Sequence, residues 1–211
     1  MKKSYFVLLV IISVFFFTAC KININEGFWI NDGQTTHGSK NTINGKIHVG
    51  EKAVVKGECR SVNGSIDVGA KSKVRDIVTV NGNVRVGRDA LVKGDVQLIN
   101  GNVHCEPGVK VTGCVETING KIILERTSVE EDLSTYNGNI ELSDNTIIIG
   151  DIVIKEKHGT NPEHHELKIE IDNSTVEGDM INEEPDTDVT VYLSHGGKIK
   201  GRTVDVKVVE R

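Results

Sequence analysis

The dipeptide Asn-Gly recurs at Asn44, Asn63, Asn81, Asn100, Asn119 and Asn137, at intervals of 18 or 19 residues. Each pair is followed by an apolar-x-apolar step, as in Ile66 and Val68 or Val103 and Cys105. A second apolar position comes later in each period (Val55, Val74, Val92, Val111, Val129, Ile148), and a third after the next corner (Cys59, Ile77, Val96, Val115, Leu133, Ile152). Taken alone, Asn-Gly between apolar alternations signals a two-residue β-hairpin. A meander, however, needs a reversal after every strand, whereas here one motif returns once per three short apolar segments. Stacked coils of a β-helix account for the period directly, with each short strand pairing with its counterparts in the coils above and below.

The 18-residue intervals support this reading. They lose their residue between Val74 and Ile77 and between Leu124 and Val129, at corners, while the apolar-x-apolar spacing is kept. A slip inside a strand would turn its apolar set outward, whereas a corner absorbs a deletion. The sequence thus specifies an all-β, single-stranded β-helix of about seven or eight coils, right-handed in preference to left-handed. Glycine is expected to supply positive φ at the corners, and the asparagines to stack as an amide ladder at about 4.8 Å. Regular coils are expected over residues 43–155, an insertion loop over 156–166, and terminal coils and a cap over 167–211. Residues 20–42 lack the repeat; Phe28, Trp29 and Ile30 are expected to form a lid on the first coil, because open sheet edges invite pairing with other chains.

The chain opens with Lys2 and Lys3, then an uncharged run from Tyr5 to Ala19 that is short for a membrane span of about 20 residues. Phe17-Thr18-Ala19-Cys20 resembles the lipobox of bacterial lipoproteins. The resemblance implies a signal peptide over residues 1–19, membrane lipid, palmitate among its acyl chains, carried on Cys20, and a cell-envelope location; Lys21 points to the outer membrane if the cell is Gram-negative. Removing Lys2 and Lys3 from 25 basic residues leaves 23 against 30 acidic ones, a balance that excludes nucleic acid as the expected partner. Three cysteines beyond Cys20 are an odd number and argue against a disulfide framework. The chain holds few aromatics, several of them before Cys20, so the core must be aliphatic.

The acids Glu58, Asp76, Asp95, Asp132, Asp151 and Asp179 fall at one corner of successive coils. Such a column could bind a divalent cation or hold the paired carboxylates of a polysaccharide-cleaving enzyme; the plainer expectation is that they accept backbone hydrogen bonds at turns. His48 and His104 share an outward column three coils apart, about 14 Å, too far for one metal ion. His158, His164 and His165 belong to the insertion, read as a polar loop, and His37 and His195 have no evident partner. Cys59 and Cys105 are expected inward as small hydrophobes, and Cys114 outward as the one reactive thiol. No catalytic residue, metal or cofactor is expected.

The segment Val86–Val96, "VGRDALVKGDV", resembles the hexapeptide repeat of left-handed β-helix acyltransferases, which keep a stricter six-residue spacing. Over residues 43–155 the short coils and Gly-Asp corners are more similar to bactofilins, polymer-forming β-helix proteins of bacteria, and to lipoproteins with "VNG" coils. The expectation is a non-catalytic, membrane-anchored scaffold or interaction surface with an envelope protein or polysaccharide partner. The alternatives are a carbohydrate-active or acyl-transferring enzyme on the same frame, and a self-associating filament.

Overall fold

The computed structural model describes residues 22–156 and 165–211; residues 1–21, where the signal peptide and Cys20 were expected, and part of the insertion, with His158 and His164, lie outside the described residues. The chain winds through three parallel sheets of ten, ten and nine strands, adjacent strands in each sheet being one coil apart in sequence. One coil runs through the first sheet at Ile77–Asn81, the second at Val84–Val86 and the third at Leu91–Val92. The next repeats it at Val96–Asn100, Val103–Cys105 and Lys110–Val111. The register is strict: Ile77 lies between Cys59 and Val96, and Val84 between Ile66 and Val103. Asn81-Gly82 therefore turns the chain from the first sheet to the second and does not fold it back on itself.

Alternate side chains along most of the short strands point inward, giving columns of Val, Ile and Leu in one continuous buried core from Ile30 to Val191. Burying each such side chain contributes about 1.5–3 kcal/mol. With every described strand paired on both sides except in the terminal coils, the described residues share one core and one continuous set of hydrogen-bond ladders.

There are ten coils, not seven or eight, and at about 4.8 Å per coil the rod is about 45 Å long. The first is made of residues expected to form a lid. Ile22–Asn23, Phe28–Ile30 and Thr35–Thr36 pair in register with Asn41–Thr42, Ile47–Val49 and Val54–Val55. Its corner reads Asn25-Glu26-Gly27, without Asn-Gly, and the physical reason lies in what corner glycines do. A Cβ on Gly45, Gly64, Gly82, Gly101, Gly120 or Gly138 would come closer than 3.0 Å to the backbone carbonyl of the residue one coil earlier. Glu26 has no earlier coil beside it among the described residues, so its Cβ is tolerated.

Close approach, not positive φ, is thus the common requirement on these six glycines, of which only Gly101 (φ 142°) and Gly120 (φ 159°) have positive φ; at the same corner Asn25 (φ 68°) in the first coil and Asp205 (φ 51°) in the last are left-handed. Most left-handed residues form a different column, after the second sheet, which includes Gly33, Lys52, Lys71, Asp89, Gly108, Arg126, Asn145 and Asn173. Two departures from the period fall at the Asn-Gly corner in consecutive coils, between Ile152–Ile154 and His165–Asp172 and between Met180–Asn182 and Thr187–Ser194. The two eight-residue strands that follow pair along their whole length, from His165 with Thr187 to Asp172 with Ser194. Three further short strands, Lys198–Ile199, Thr203–Val204 and Lys207–Glu210, close the stack.

The close approach gives a direct test. Gly82→Ala should lower the urea unfolding free energy by on the order of 2 kcal/mol, while Glu26→Ala should change it by less than about 0.5 kcal/mol. Equal losses in the two variants would contradict the stacking at this corner.

Candidate functional site

The outside of the rod is built from ladders, one side chain per coil. At the Asn-Gly corner each asparagine donates from Nδ2 to Oδ1 of the asparagine one coil earlier. The series runs Asn44 to Asn25 (2.7 Å), Asn63 to Asn44 (2.9 Å), Asn81 to Asn63 (2.9 Å), Asn100 to Asn81 (2.8 Å), Asn119 to Asn100 (3.0 Å) and Asn137 to Asn119 (3.4 Å). Two residues before the asparagine lies an inward hydroxyl that sequence reading missed. Thr42, Ser61 and Thr79 donate to the carbonyls of Glu26, Gly45 and Gly64 at 2.7, 3.1 and 3.2 Å. The recurring "TIN", "SVN" and "TVN" was the available signal. Between hydroxyl and amide, Ile43, Val62, Val80, Ile99, Ile118 and Tyr136 form a half-buried apolar stripe along the first sheet.

The acid column engages the backbone. Oδ1 of Asp76, Asp95, Asp132, Asp151 and Asp179 accepts the N–H of Asp95, Cys114, Asp151, Asp179 and Arg202 respectively, at 2.7–3.2 Å. The preceding glycine leaves room for this: a Cβ on Gly94 would collide with Asp76 Oδ1 and one on Gly150 with Asp132 Oδ1. Glu58 instead pairs with Arg60 at 2.5 Å. Arg202 grips Asp179 Oδ2 through Nε and Nη2 at 3.0 and 2.6 Å, and this hydrogen-bonded fork holds the Asp179 carboxyl below the usual carboxylate range. Backbone donors and arginines thus compensate charges that would otherwise repel from coil to coil. Among the described residues, no three His, Cys, Asp or Glu side chains are grouped to hold a metal ion.

The described histidines remain apart. His48 packs against Trp29 with ring centroids 5.1 Å apart, and His104 Nε2 meets Glu125 Oε1 at 3.0 Å. Asp67 and Arg85 occupy the two coils between them. His195 Nδ1 contacts Asp172 Oδ1, and this bond lowers the Asp172 carboxyl's pKa. His37 offers its carbonyl to Lys40 Nζ at 3.2 Å. His165 opens a strand instead of lying in a loop. A cleft of about 560 Å³ near the last coils is lined by Glu166, Asp188, Asp205 and Lys207 among others.

Other charges pair from one coil to the next: Lys46 with Asp67 (2.5 Å), Lys110 with Glu130 (2.6 Å), Lys121 with Glu141, and Lys200 with Glu177 (2.7 Å). Arg85 reaches Glu106 through Nε at 3.0 Å and holds that carboxyl's pKa down.

Cys59 and Cys105 are fully buried, and desolvation pushes both thiols up to about 12. Cys114 differs from expectation. It is partly buried, and burial first, then the neighbouring Asp95 carboxylate, raises it to about 12 as well. A thiol held protonated is a poor nucleophile. No protein-family model, curated protein or solved structure matches this chain.

The buried thiols predict an alkaline effect. An unfolded thiol ionises near 9 and the folded ones near 12, so between these values the native state holds protons that the unfolded state has lost. Their contribution is complete below pH 9 and falls as pH rises. Unfolding free energy should therefore decline from pH 9 to 10.5 more steeply in the native sequence than in a Cys59→Val, Cys105→Val variant, by about 1–3 kcal/mol per pH unit. Parallel slopes would contradict the burial of these thiols.

Proposed function

We propose that this protein is a lipid-anchored envelope scaffold: a rigid β-solenoid rod, held at a membrane surface by acyl chains on Cys20, that presents its flanks to an envelope protein or polysaccharide. The observation that carries this reading is where the fold begins. The first paired strand, Ile22–Asn23, lies in the terminal coil, two residues after Cys20, so a lipid there would hold the rod by its end. Two or three acyl chains on one cysteine anchor stably, where one binds marginally. The reading is non-catalytic, because the acid column serves the backbone and the histidines are dispersed. If the cell is Gram-negative, Lys21 favours outer-membrane sorting.

Metabolic labelling of cells with a radiolabelled fatty acid tests the anchor. The intact chain should take up label and sediment with membranes, and Cys20→Ser should do neither in its processed form. Equal labelling of both proteins, or of neither, would overturn the anchor.

A second reading is end-to-end assembly of the kind bactofilins use. It is favoured by the terminal coils, where Ile22, Ile24 and Trp29 at one end and Val204 and Val208 at the other are exposed beside unpaired strand edges. Lys207 and Glu210 on the last strand oppose it as charged edge residues. Negative-stain micrographs showing filaments would favour assembly, and single short rods the tethered monomer.

A further inference from the structure

Along the third sheet, one group of lysines lacks the coil-to-coil acid partner that Lys46, Lys110, Lys121 and Lys200 have. Lys52, Lys56, Lys71, Lys73 and Lys93 are all exposed and lie on three consecutive coils. None has an ion-pair partner among the described residues. Lys52 and Lys71 hold equivalent left-handed corner positions, φ 55° and 58°, in adjacent coils. Lys56, Arg75 and Lys93 each follow the last residue of their strand, Val55, Val74 and Val92, and so stack base upon base. Only Arg75 in that column is neutralised, by Asp76 at 3.2 Å. Like charges directly opposite on neighbouring strands are destabilising. The three third-sheet strands and their flanking corners hold seven basic residues, these five lysines with Arg75 and Arg88, against five acids, Glu51, Glu58, Asp76, Asp89 and Asp95, so the patch carries a local excess of positive charge in a chain whose net charge is −5.

We propose that this lysine face docks on the anionic headgroups of a lipid bilayer, laying the rod's flank along the membrane. The choice of a membrane over another polyanion rests on the anchor at Cys20. The patch occupies the second to fourth coils, about 5–15 Å along the axis from the coil that follows Cys20. A tether of that length presents the lysines to headgroups at high effective concentration, so that a patch too weak to bind from solution suffices. The same face carries Ile147 and Ile149, 42% and 50% exposed, three coils beyond Lys93, apolar side chains suited to the headgroup boundary. The patch lacks the aromatic platforms on which single strands stack. The overall acidic balance disfavours a duplex.

The test uses the full chain carrying Cys20→Ser, which cannot be acylated at that position, so that its outcome is independent of fatty-acid labelling. Co-sedimentation is measured with vesicles of phosphatidylcholine alone or with about 30 mol% phosphatidylglycerol, at about 0.05 M and 0.5 M salt. The account expects at least about tenfold more protein on the anionic vesicles at low salt, and release at high salt. Combined Lys56→Gln, Lys73→Gln and Lys93→Gln should reduce binding by about tenfold, while Lys46→Gln, Lys121→Gln and Lys207→Gln, which remove the same charge elsewhere, should leave it within about twofold. Equal binding to both vesicle types, equal losses in the two triple variants, or tighter binding to a DNA duplex than to anionic vesicles would overturn the proposal. Failure of the labelling experiment alone would remove the anchor and leave a vesicle-binding face in place.

Discussion

Contact between the backbones of successive coils at the Asn-Gly corner governs the structure. There the chain of one coil lies so close to the carbonyl of the coil before it that no Cβ fits between them. In the coils that carry Asn-Gly each layer meets its predecessor this way, so the pitch there stays at the inter-strand hydrogen-bonding distance, and everything set by pitch follows. Aliphatic side chains stack in columns with no room for a coil to slide, asparagine amides fall within hydrogen-bond reach, and aspartates accept backbone N–H groups from the next layer. Glycine at this corner is a spacing requirement, and left-handed backbone is concentrated in another column, from Gly33 to Asn173.

The repeating middle of the rod could be read from sequence because its constraints are local and periodic. The apolar-x-apolar step fixed which side chains face inward, and the two shortened intervals fell at corners, between Val74 and Ile77 and between Leu124 and Val129. The first coil was hidden for the same reason that the motif works elsewhere: with no preceding layer, position 26 tolerates glutamate, and the Asn-Gly signature is lost while Asn25 keeps its place in the ladder. The last coils were obscured by longer strands and departures from the period at that same corner. The role of the hydroxyls at Thr42, Ser61 and Thr79 was also missed, since a buried Thr in an apolar column reads as a β-former until its carbonyl partner one coil away is seen.

The exterior divides into surfaces that complete the fold and surfaces that do not. Asparagine amides, corner aspartates and coil-to-coil ion pairs have partners within the rod. The thiol at Cys114, expected to be reactive because its column faces outward, is held protonated by burial and by Asp95, facts of packing that no sequence pattern carries. What is left over is the lysine stretch on the third sheet, the exposed Ile147 and Ile149, and the open terminal edges. Unused bonding capacity of this kind is where a scaffold meets its surroundings, and it lies on the flank and ends of the rod.

The stacking itself is open to direct measurement, because Thr35, Lys73, Lys110 and Lys198 lie in one exposed column of the third sheet, separated only by whole coils. Spin labels placed pairwise with Lys198 should report separations near 38 Å from Thr35, about 29 Å from Lys73 and about 19 Å from Lys110, a gradient of about 4.8 Å per coil. Distances that fail to grow with coil number, or that bring Thr35 as near to Lys198 as Lys110 is, would contradict a single continuous stack.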